Sequence, residues 1–426
     1  MLNFNLKQKI DFILTVGKIL AENGATTEII IRNSKRVAEF MKIPEENFNL
    51  QITPSAIFFN FFDGDKSNIS FKNLEKHAVD MNLVTLIDNF TLNSLQKNYS
   101  EEKFQDNLNE IMTQEKNYTQ IQTILSTGIF CGGFCFLFGG DIFSAIYTAI
   151  CAIIGKFFQL KLSKFGVNHF IIISIAAFFS TMTAFFIYVL PSETPEYPII
   201  ACALFLIPGI PIINAIIDTL NNFLLNGMTT AFRAILIAIS MTVGIVFAIA
   251  LCEKIYFWVY NDFIYRKDFL SLEMAMNHNF LEILIASVIV AISFSIIINI
   301  SRKNLIIIGI LGAVTLLIKN FLIFEINFSA EVGTFFAATL IGILAIKIKK
   351  FTQTPLQVLV VPAIISMVPG VLIYRFLFSC INIKFMTAEE FFQAMGIGID
   401  ALQIIFAMVI GATLPNLITL KIFEKN

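Results

Sequence analysis

The sequence predicts a mainly α-helical, polytopic membrane protein with a small α/β domain at its N-terminus. Of its 426 residues 56% are hydrophobic, and only 14% are charged, against roughly 25% in a typical soluble domain. The first 118 residues hold 13 Lys/Arg and 16 Asp/Glu, which is close to half of all charges. Farther along, Pro208-Gly209 and Pro369-Gly370 interrupt long apolar runs. A charged domain followed by a membrane region with two broken helices explains all three observations.

The regions that we expect follow these changes in composition. They are a cytoplasmic α/β domain at 1–118, a first five-helix membrane repeat at 119–255, a loop between the repeats at 256–279 and a second five-helix membrane repeat at 280–426. The formal net charge of −1 argues against a nucleic-acid partner. The six cysteines lie in apolar segments without metal-ligand spacing and the three histidines are scattered, so we predict neither a metal site nor a cofactor.

The N-terminal domain shows helical spacing first, then strand alternation, then helical spacing again. The expected elements are helices at 8–23, 75–97 and 101–116, a further helix that begins after Thr26 or Thr27, and strands between 48 and 71. Asn23-Gly24 ends the first helix, and Asp63-Gly64 reads as a hairpin turn. The domain contains no phosphate loop, no nucleophile constellation and no convincing pair of carboxylates, so we interpret it as a packing or regulatory domain.

Ten apolar segments approach the ~20 residues that a helix needs to cross a bilayer. They lie at 121–139, 142–162, 170–190, 197–216, 231–252, 280–299, 304–322, 328–347, 355–378 and 391–420. Basic residues cluster between spans two and three, six and seven, and eight and nine, whereas Asp141, Glu193 and Glu196 fall on the other side. By the positive-inside rule the basic loops are cytoplasmic. With ten spans, the N-terminal domain and the C-terminal tail are then cytoplasmic too.

Five spans in each half predict inverted repeats, because the first half starts inside and the second half outside. The segment Ile142–Lys156 can be laid on Leu305–Lys319 without a gap. Spans four and nine each carry one Pro-Gly pair, and Asn214 and Arg375 each stand five residues after the glycine. Pro and Gly break helices, and a membrane tolerates broken backbone only where protein or a cavity satisfies it. The paired interruptions therefore predict a transport site between spans four and nine.

These motifs resemble those of the bacterial and fungal threonine/serine exporters, over nearly the whole chain. The similar motifs are Ala21–Glu28 followed by Arg32, Arg36 and Val37; Leu137-Phe138-Gly139-Gly140-Asp141; Pro208, Gly209, Asn214, Asp218 and Gly227; and Pro369, Gly370, Tyr374 and Arg375. Two features depart from the family pattern. Thr26-Thr27-Glu28 replaces a more usual apolar-aromatic-polar run, and the loop from Ile255 to Asn279 is longer than expected.

The resemblance implies ten spans in the cytoplasmic (inner) membrane and the export of small amino acids, threonine and serine, driven by the proton gradient or the membrane potential. The implied partners are a small-molecule amino acid substrate and membrane lipid. Assembly into a homo-oligomer is left open by the sequence. One alternative is an exporter of small dicarboxylates on the same scaffold, which the arginines would suit. Another is a membrane-anchored enzyme that acts through the N-terminal domain.

Ionisable residues inside a bilayer are costly and mark transport pathways. Asp218 lies nine residues past Gly209, roughly 13 Å along a helix and near the cytoplasmic end of span four. It either attracts a substrate ammonium or carries a proton, or it caps the next segment. Arg233 begins span five on the same side, where it binds a substrate carboxylate or pairs with Asp218.

Two further ionisable residues lie in the second half. Arg375, in the outer half of span nine, is either the symmetry counterpart of the first-half site or reaches toward the membrane surface. Asp400, in span ten, is a candidate proton relay. At the breaks, helix N-termini favour a carboxylate and freed carbonyls favour an ammonium. We therefore expect the substrate to bind between the two interrupted spans and the halves to rock around it. The residues predicted to bind the substrate or to couple transport are Pro208, Gly209, Asn214, Asp218, Arg233, Pro369, Gly370, Arg375 and Asp400.

Overall fold

The computed structural model describes residues 5–63, 66–75, 78–97, 99–260, 279–381 and 386–423. Within these ranges the chain is mainly helical, with one small sheet near its N-terminus. The predicted fold class is confirmed at this level.

The N-terminal domain combines four helices with a three-stranded sheet. Its elements are α1 (Leu6–Glu22), α2 (Thr27–Phe40), β1 (Asn49–Ile52), β2 (Ala56–Asp63), β3 (Lys66–Asn73), α3 (Met81–Gln96) and α4 (Glu101–Thr113). The antiparallel sheet has the order β1-β2-β3. The ring of Phe104 packs against those of Phe12, Phe40 and Phe90, which joins α1 to α4 in one core. Between α1 and α2 the chain turns at Gly24, whose φ of +89° favours glycine.

The membrane region follows as a series of apolar helices. They are α5 (Gln120–Leu137), α6 (Ile142–Ser163), α7 (His169–Phe185), α8 (Glu196–Ala201), α9 (Gly209–Leu220), α10 (Leu224–Tyr260), α11 (Phe280–Ile297), α12 (Leu305–Phe324), α13 (Ala330–Thr352), α14 (Leu356–Ile364), α15 (Gly370–Ile381) and α16 (Ala388–Phe423). Among the described residues, 7 helices are long and apolar enough to cross a membrane, or up to 9 if each of two bent pairs is one span. Helices occupy all ten predicted positions, but α7, with 17 residues, is shorter than the other unbroken helices of the membrane region. The count of ten spans therefore stays a prediction.

Several predicted boundaries were wrong. Span five, predicted to begin at 231, begins with α10 at Leu224. The helix predicted at 75–97 starts only at Met81, because the carboxylate of Asp80 caps it by accepting from the backbone N–H groups of Asn82 and Leu83, both at 3.1 Å. The loop predicted at 256–279 begins later, since α10 continues to Tyr260. The rest of that loop, up to 278, lies outside the described residues.

The two bent helices have the same layout. In each, a short helix passes into a 3-10 turn, at Leu204–Leu206 and at Ile365–Met367, and a 12-residue helix then starts at the glycine after proline. The bends are 56° between α8 and α9 and 63° between α14 and α15. We refer to Leu204–Gly209 as the first break and to Ile365–Gly370 as the second break. The helix interruptions predicted at Pro208-Gly209 and Pro369-Gly370 are therefore confirmed.

The same packing order recurs in the two halves. In the first half α5 packs on α6, α6 on α7 and α7 on α10, while in the second half α11 packs on α12, α12 on α13 and α13 on α16. The halves join where α5 meets α11, where α9 meets α16 and where α10 meets α15. Each bent pair thus contacts the last helix of its own half and that of the other half.

The N-terminal domain is docked on one face of the membrane region. Asn299, between α11 and α12, donates through Nδ2 to both carboxylate oxygens of Asp80, at 2.9 and 2.8 Å. The backbone N–H of Met81 donates to the carbonyl of Ile298 at 3.0 Å. We call this face the near side. At the other end of α5, 18 residues or about 27 Å away, Asp141 and the loop around Ser192 form a polar cluster on the far side.

Candidate functional site

The two breaks touch each other in the middle of the membrane region. A Cβ placed on Gly209 would lie 3.2 Å from Cδ1 of Ile365, and one placed on Gly370 would lie 3.1 Å from Cδ2 of Leu204. Leu204 and Ile365 both stand four residues before the proline, so the contact is reciprocal. Both glycines line an apolar cavity of about 40 Å³ between the breaks. Glycine at these two positions lets the broken helices approach closely.

A polar junction lies on the near side of the breaks. Asn214 of α9 donates through Nδ2 to the carbonyl oxygen of Gly24 at 2.9 Å, and Gln357 of α14 donates to the same oxygen at 3.2 Å. Gln357 Nε2 also donates to Asn214 Oδ1 at 2.7 Å. One backbone carbonyl of the N-terminal domain is thus held by a side chain from each half of the membrane region.

Asp218 binds the N-terminal domain through both carboxylate oxygens. Oδ1 accepts from the backbone N–H of Thr27 at 2.9 Å, and Oδ2 accepts from the Thr27 hydroxyl at 2.8 Å. Asn226 Nδ2 donates to the same hydroxyl oxygen at 3.1 Å. Asp218 is only 5% exposed, and the N-terminus of α2 complements its negative charge. We call this contact the Asp218–Thr27 latch.

Arg233 is not among the groups that bind these carboxylate oxygens. It lies in α10, where its charge acts on His169 at the start of α7. The sequence left open whether Arg233 pairs with Asp218. In the structure the carboxylate of Asp218 binds Thr27. The structure does not bring Arg233 to the junction of Asn214, Gln357 and Gly24.

A cavity of about 80 Å³ lies beside the junction and the latch. Four elements form its walls: the start of α2, α9, α14 and the near-side part of α16, together with Lys349 from the end of α13. The polar residues among those that line it are Thr26, Glu28, Arg32, Asn221, Lys349, Gln357, Thr413 and Asn416. One water molecule needs ~10–15 Å³ of such space, so the cavity suits a small solute.

Arg32 and Lys349 give one wall of this cavity positive charge, and Arg36, which does not line the cavity, binds the same carboxylate as Arg32. Arg32 Nη2 and Arg36 Nη1 both donate to Asp88 Oδ1 at 3.0 Å, and Lys349 is close enough to interact electrostatically with all three. Burial alone would raise the pKa of Asp88, but the charges of Arg32 and Arg36 hold it below its ordinary value. Burial lowers the pKa of Arg36, and Asp88 opposes that effect. Asp88 therefore stays ionised and fixes the two guanidinium groups.

Glu28 contributes a negative charge to the lining of the cavity. Its Oε2 accepts a hydrogen bond of 3.0 Å from Asn221 Nδ2 at the end of α9. Glu28 and Arg32 both line the cavity and stand one helical turn apart on α2. The cavity thus presents groups of both signs, together with the apolar faces of α9 and α14.

The two remaining charged residues of the predicted site, Arg375 and Asp400, lie on the far side. Arg375 of α15 and Asp400 of α16 line one open cavity of about 310 Å³, together with Glu390 and Gln393. The sequence placed these two charges on separate spans, and the fold brings them to one opening. Asn214 and Asp218 meet the N-terminal domain instead, whereas Gly209 and Gly370, each next to its proline, lie at the contact between the breaks.

Sequence reasoning assigned no role to Glu28, Arg32, Lys349 or Gln357. A local signal existed for Gln357, which is the one polar residue in the apolar run from Leu356 to Ile365. A lone amide in a membrane helix calls for a partner. Glu28 and Arg32 belong to a stretch that resembles the exporter family, but their spacing gives no sign of a binding role, because charges on an amphipathic helix usually face solvent.

Comparison with known proteins covers both halves of the chain. Residues 11–252 match a family model of threonine/serine exporters, and residues 283–418 match a second one described as "Threonine/Serine exporter, ThrE". The chain is 23% identical over 235 residues to "Probable succinate transporter subunit YjjP" of Klebsiella aerogenes, covering 54% of this chain and 89% of that protein. It is 22% identical over 245 residues to the protein of the same name in Escherichia coli, covering 55% and 91%. No solved structure gives a significant match.

Proposed function

This chain belongs to the threonine/serine exporter family, and on that premise we propose that it exports small amino acids, threonine and serine first among them, across the cytoplasmic membrane. Family membership indicates a membrane transporter and argues against an enzyme that acts through the N-terminal domain. The observation that carries the choice of substrate is the cavity between α2, α9, α14 and α16, because it offers both a positive and a negative wall. An amino acid is a zwitterion and needs one group of each sign.

The proposal includes ten spans in two inverted repeats, with both termini in the cytoplasm. The recurring packing order and the reciprocal contact between the breaks support the repeats. The near side, which carries the N-terminal domain, is then the cytoplasmic face. The basic residues Arg302 and Lys349 lie on this side, in agreement with the positive-inside rule.

Transport would proceed by alternating access around the two breaks. The substrate binds on the near side, where the latch and the Gly24 junction close the cavity toward the cytoplasm. The halves then rock at the reciprocal contact between Gly209 and Gly370, and the substrate leaves through the far-side cavity that Arg375 and Asp400 line. For the next cycle the N-terminal domain must release Asp218. The proton gradient or the membrane potential drives the cycle.

Small dicarboxylates are the second candidate substrate. Two relatives carry the printed name of a succinate transporter subunit, and Arg32 and Lys349 would each bind one carboxylate. Glu28 opposes this candidate, since its carboxylate would repel a second negative group in a small cavity. Counterflow of labelled threonine and of labelled succinate into vesicles that contain the protein separates the two.

Efflux measurements test the proposal. Cells preloaded with labelled threonine should lose it faster when they contain the protein, and Gly209→Leu and Gly370→Leu should each slow this efflux at least tenfold. A leucine fills the space between the breaks and prevents the halves from moving past each other. The control is Ile306→Leu, at a side chain that is 72% exposed on α12. Threonine efflux at the wild-type rate in both glycine variants, or none in the wild type, would refute the proposal.

A further inference from the structure

The N-terminal domain contributes side chains to the wall of the transport cavity. Thr26, which precedes α2, and Glu28 and Arg32 of α2 line the same space as residues of α9, α14 and α16. A domain that served only to regulate or to pack would not need charged groups there. Its position is fixed by the latch, by the Gly24 junction and by the bond from Asn299 to Asp80.

Arg32 has hydrogen-bonding capacity left over at this wall. Its Nη2 donates to Asp88, but its Nε is buried and has no hydrogen-bond partner within the described ranges. A buried donor without an acceptor is unfavourable, and a ligand or an ordered water that enters the cavity can supply the acceptor. Lys349 adds a second positive charge to the same cavity. Together they form a receptor for a carboxylate.

Gln357 has a complementary feature. The side chain is only 8% exposed, and its Oε1 is a buried acceptor without a hydrogen-bond partner in the part of the chain that the structure describes. The amide orientation is fixed by its surroundings, because Nε2 faces two acceptors, the carbonyl of Gly24 and Asn214 Oδ1. Oε1 is therefore an acceptor that the protein itself leaves unused, and the carboxylate of Glu28 lines the same cavity.

We propose that the N-terminal domain forms half of the substrate site, in which Arg32 with Lys349 binds the substrate carboxylate while Glu28 with Gln357 Oε1 binds its ammonium group. The ammonium part of this assignment rests on the proposed function, whereas Arg32 would bind a carboxylate of either candidate substrate. Arg32 and Glu28 are then specificity-determining residues, and Asp88 positions Arg32. The domain must also move with each cycle, since its own side chains hold the substrate.

Arg36 offers a matched control for Arg32. Both guanidinium groups bind Asp88 Oδ1 at 3.0 Å and both stand on α2, but only Arg32 lines the cavity. A purely structural role would give Arg32→Gln and Arg36→Gln similar effects. A binding role would separate them.

The experiment measures binding to the purified full-length protein by ligand-induced thermal shift and by labelled-ligand binding. The probes are threonine, 1-amino-2-propanol, which lacks the carboxylate, and succinate. Arg32→Gln should weaken threonine binding at least tenfold and remove the preference for threonine over 1-amino-2-propanol. Arg36→Gln should leave threonine binding within twofold. Glu28→Gln, which retains an acceptor for Asn221, should weaken threonine and strengthen succinate.

The outcomes distinguish this inference from the proposed function. Equal effects of Arg32→Gln and Arg36→Gln, or wild-type threonine binding in Arg32→Gln, would overturn the inference even if the wild type exports threonine. A wild type that binds succinate but not threonine would overturn the proposed substrate. In that case a tenfold loss of succinate binding in Arg32→Gln alone would still support the carboxylate role.

Discussion

Asp88 is the residue on which the charged wall of the N-terminal domain depends. Its carboxylate is 8% exposed and accepts hydrogen bonds from two arginines of the neighbouring helix. Because Arg32 and Arg36 hold its pKa below the ordinary value, the ionised form stabilises the domain. This stabilisation is complete above pH about 3.9, the unfolded pKa, and it is lost as the pH falls through the lower, folded pKa.

Replacing Asp88 with Asn should destabilise the domain by about 2 kcal/mol, since two partly buried guanidinium groups lose their counter-charge. The variant should also lose the share of acid-dependent destabilisation below pH about 4 that Asp88 contributes, because an Asn side chain does not titrate. Thermal unfolding of the full-length protein at pH 7, and in steps from about pH 4 down to about pH 2.5, measures both effects. The control is Lys35→Gln, which removes an ion pair with Glu45 on the surface. An unchanged Tm at pH 7 in Asp88→Asn would contradict the role given to this residue.

At the scale of the elements, close approaches between helices recur in the two halves. A Cβ on Gly244 of α10 would overlap the carbonyl oxygen of Ser174 in α7, and one on Gly411 of α16 would overlap that of Phe335 in α13. Ser174 and Phe335 both stand five residues after the start of their helices. The third and fifth helices of each half therefore meet at corresponding points, and glycine is required there because two backbones are in contact.

Gly244→Ala and Gly411→Ala should each destabilise the membrane region by about 1–3 kcal/mol, since the added methyl group forces the helices apart. The two effects should be of similar size if the halves are related as proposed. Thermal unfolding in detergent, followed by size-exclusion chromatography, measures them. Val243→Ala, one position away at a side chain that is 36% exposed, serves as the control. A fall in Tm for only one of the two glycine variants would count against equivalent packing.

At the scale of the whole molecule, the contacts sort the loops into two sides of the membrane region. The N-terminal domain, the loop from Asn299 to Asn304 and the end of α13 share the near side, while Asp141 and Glu193 share the far side. The contacts fix which loops lie together, and the positive-inside rule assigns the near side to the cytoplasm.

Labelling of single cysteines decides the orientation. In a variant without the six native cysteines, Glu193→Cys should react with a membrane-impermeant maleimide in intact cells. Lys303→Cys should react only after the cells are permeabilised, because its loop lies with the N-terminal domain on the near side. The opposite pattern would place the N-terminal domain outside and contradict the proposed direction of export.

Many of the secondary-structure elements and turns of this fold are determined by local sequence. Helical spacing, the Gly24 turn, the hairpin and the two Pro-Gly pairs each depend on neighbouring residues, so they were predictable without a structure. The start of α3 was missed because Asp80 both caps this helix and binds Asn299, a residue far away in the chain.

The sequence by itself determined the membrane class, the positions of the apolar helices and the two breaks, since hydrophobic length and proline chemistry are properties of short segments. Only the tertiary structure decided what the polar residues bind. Asp218 and Asn214, which the sequence predicted as substrate ligands, bind Thr27 and Gly24 of the N-terminal domain in this structure. Gln357 meets Gly24 across 333 positions of the chain. The physical reason is that helix periodicity tells which face of a helix is polar, whereas the partner of that face depends on how separate elements pack.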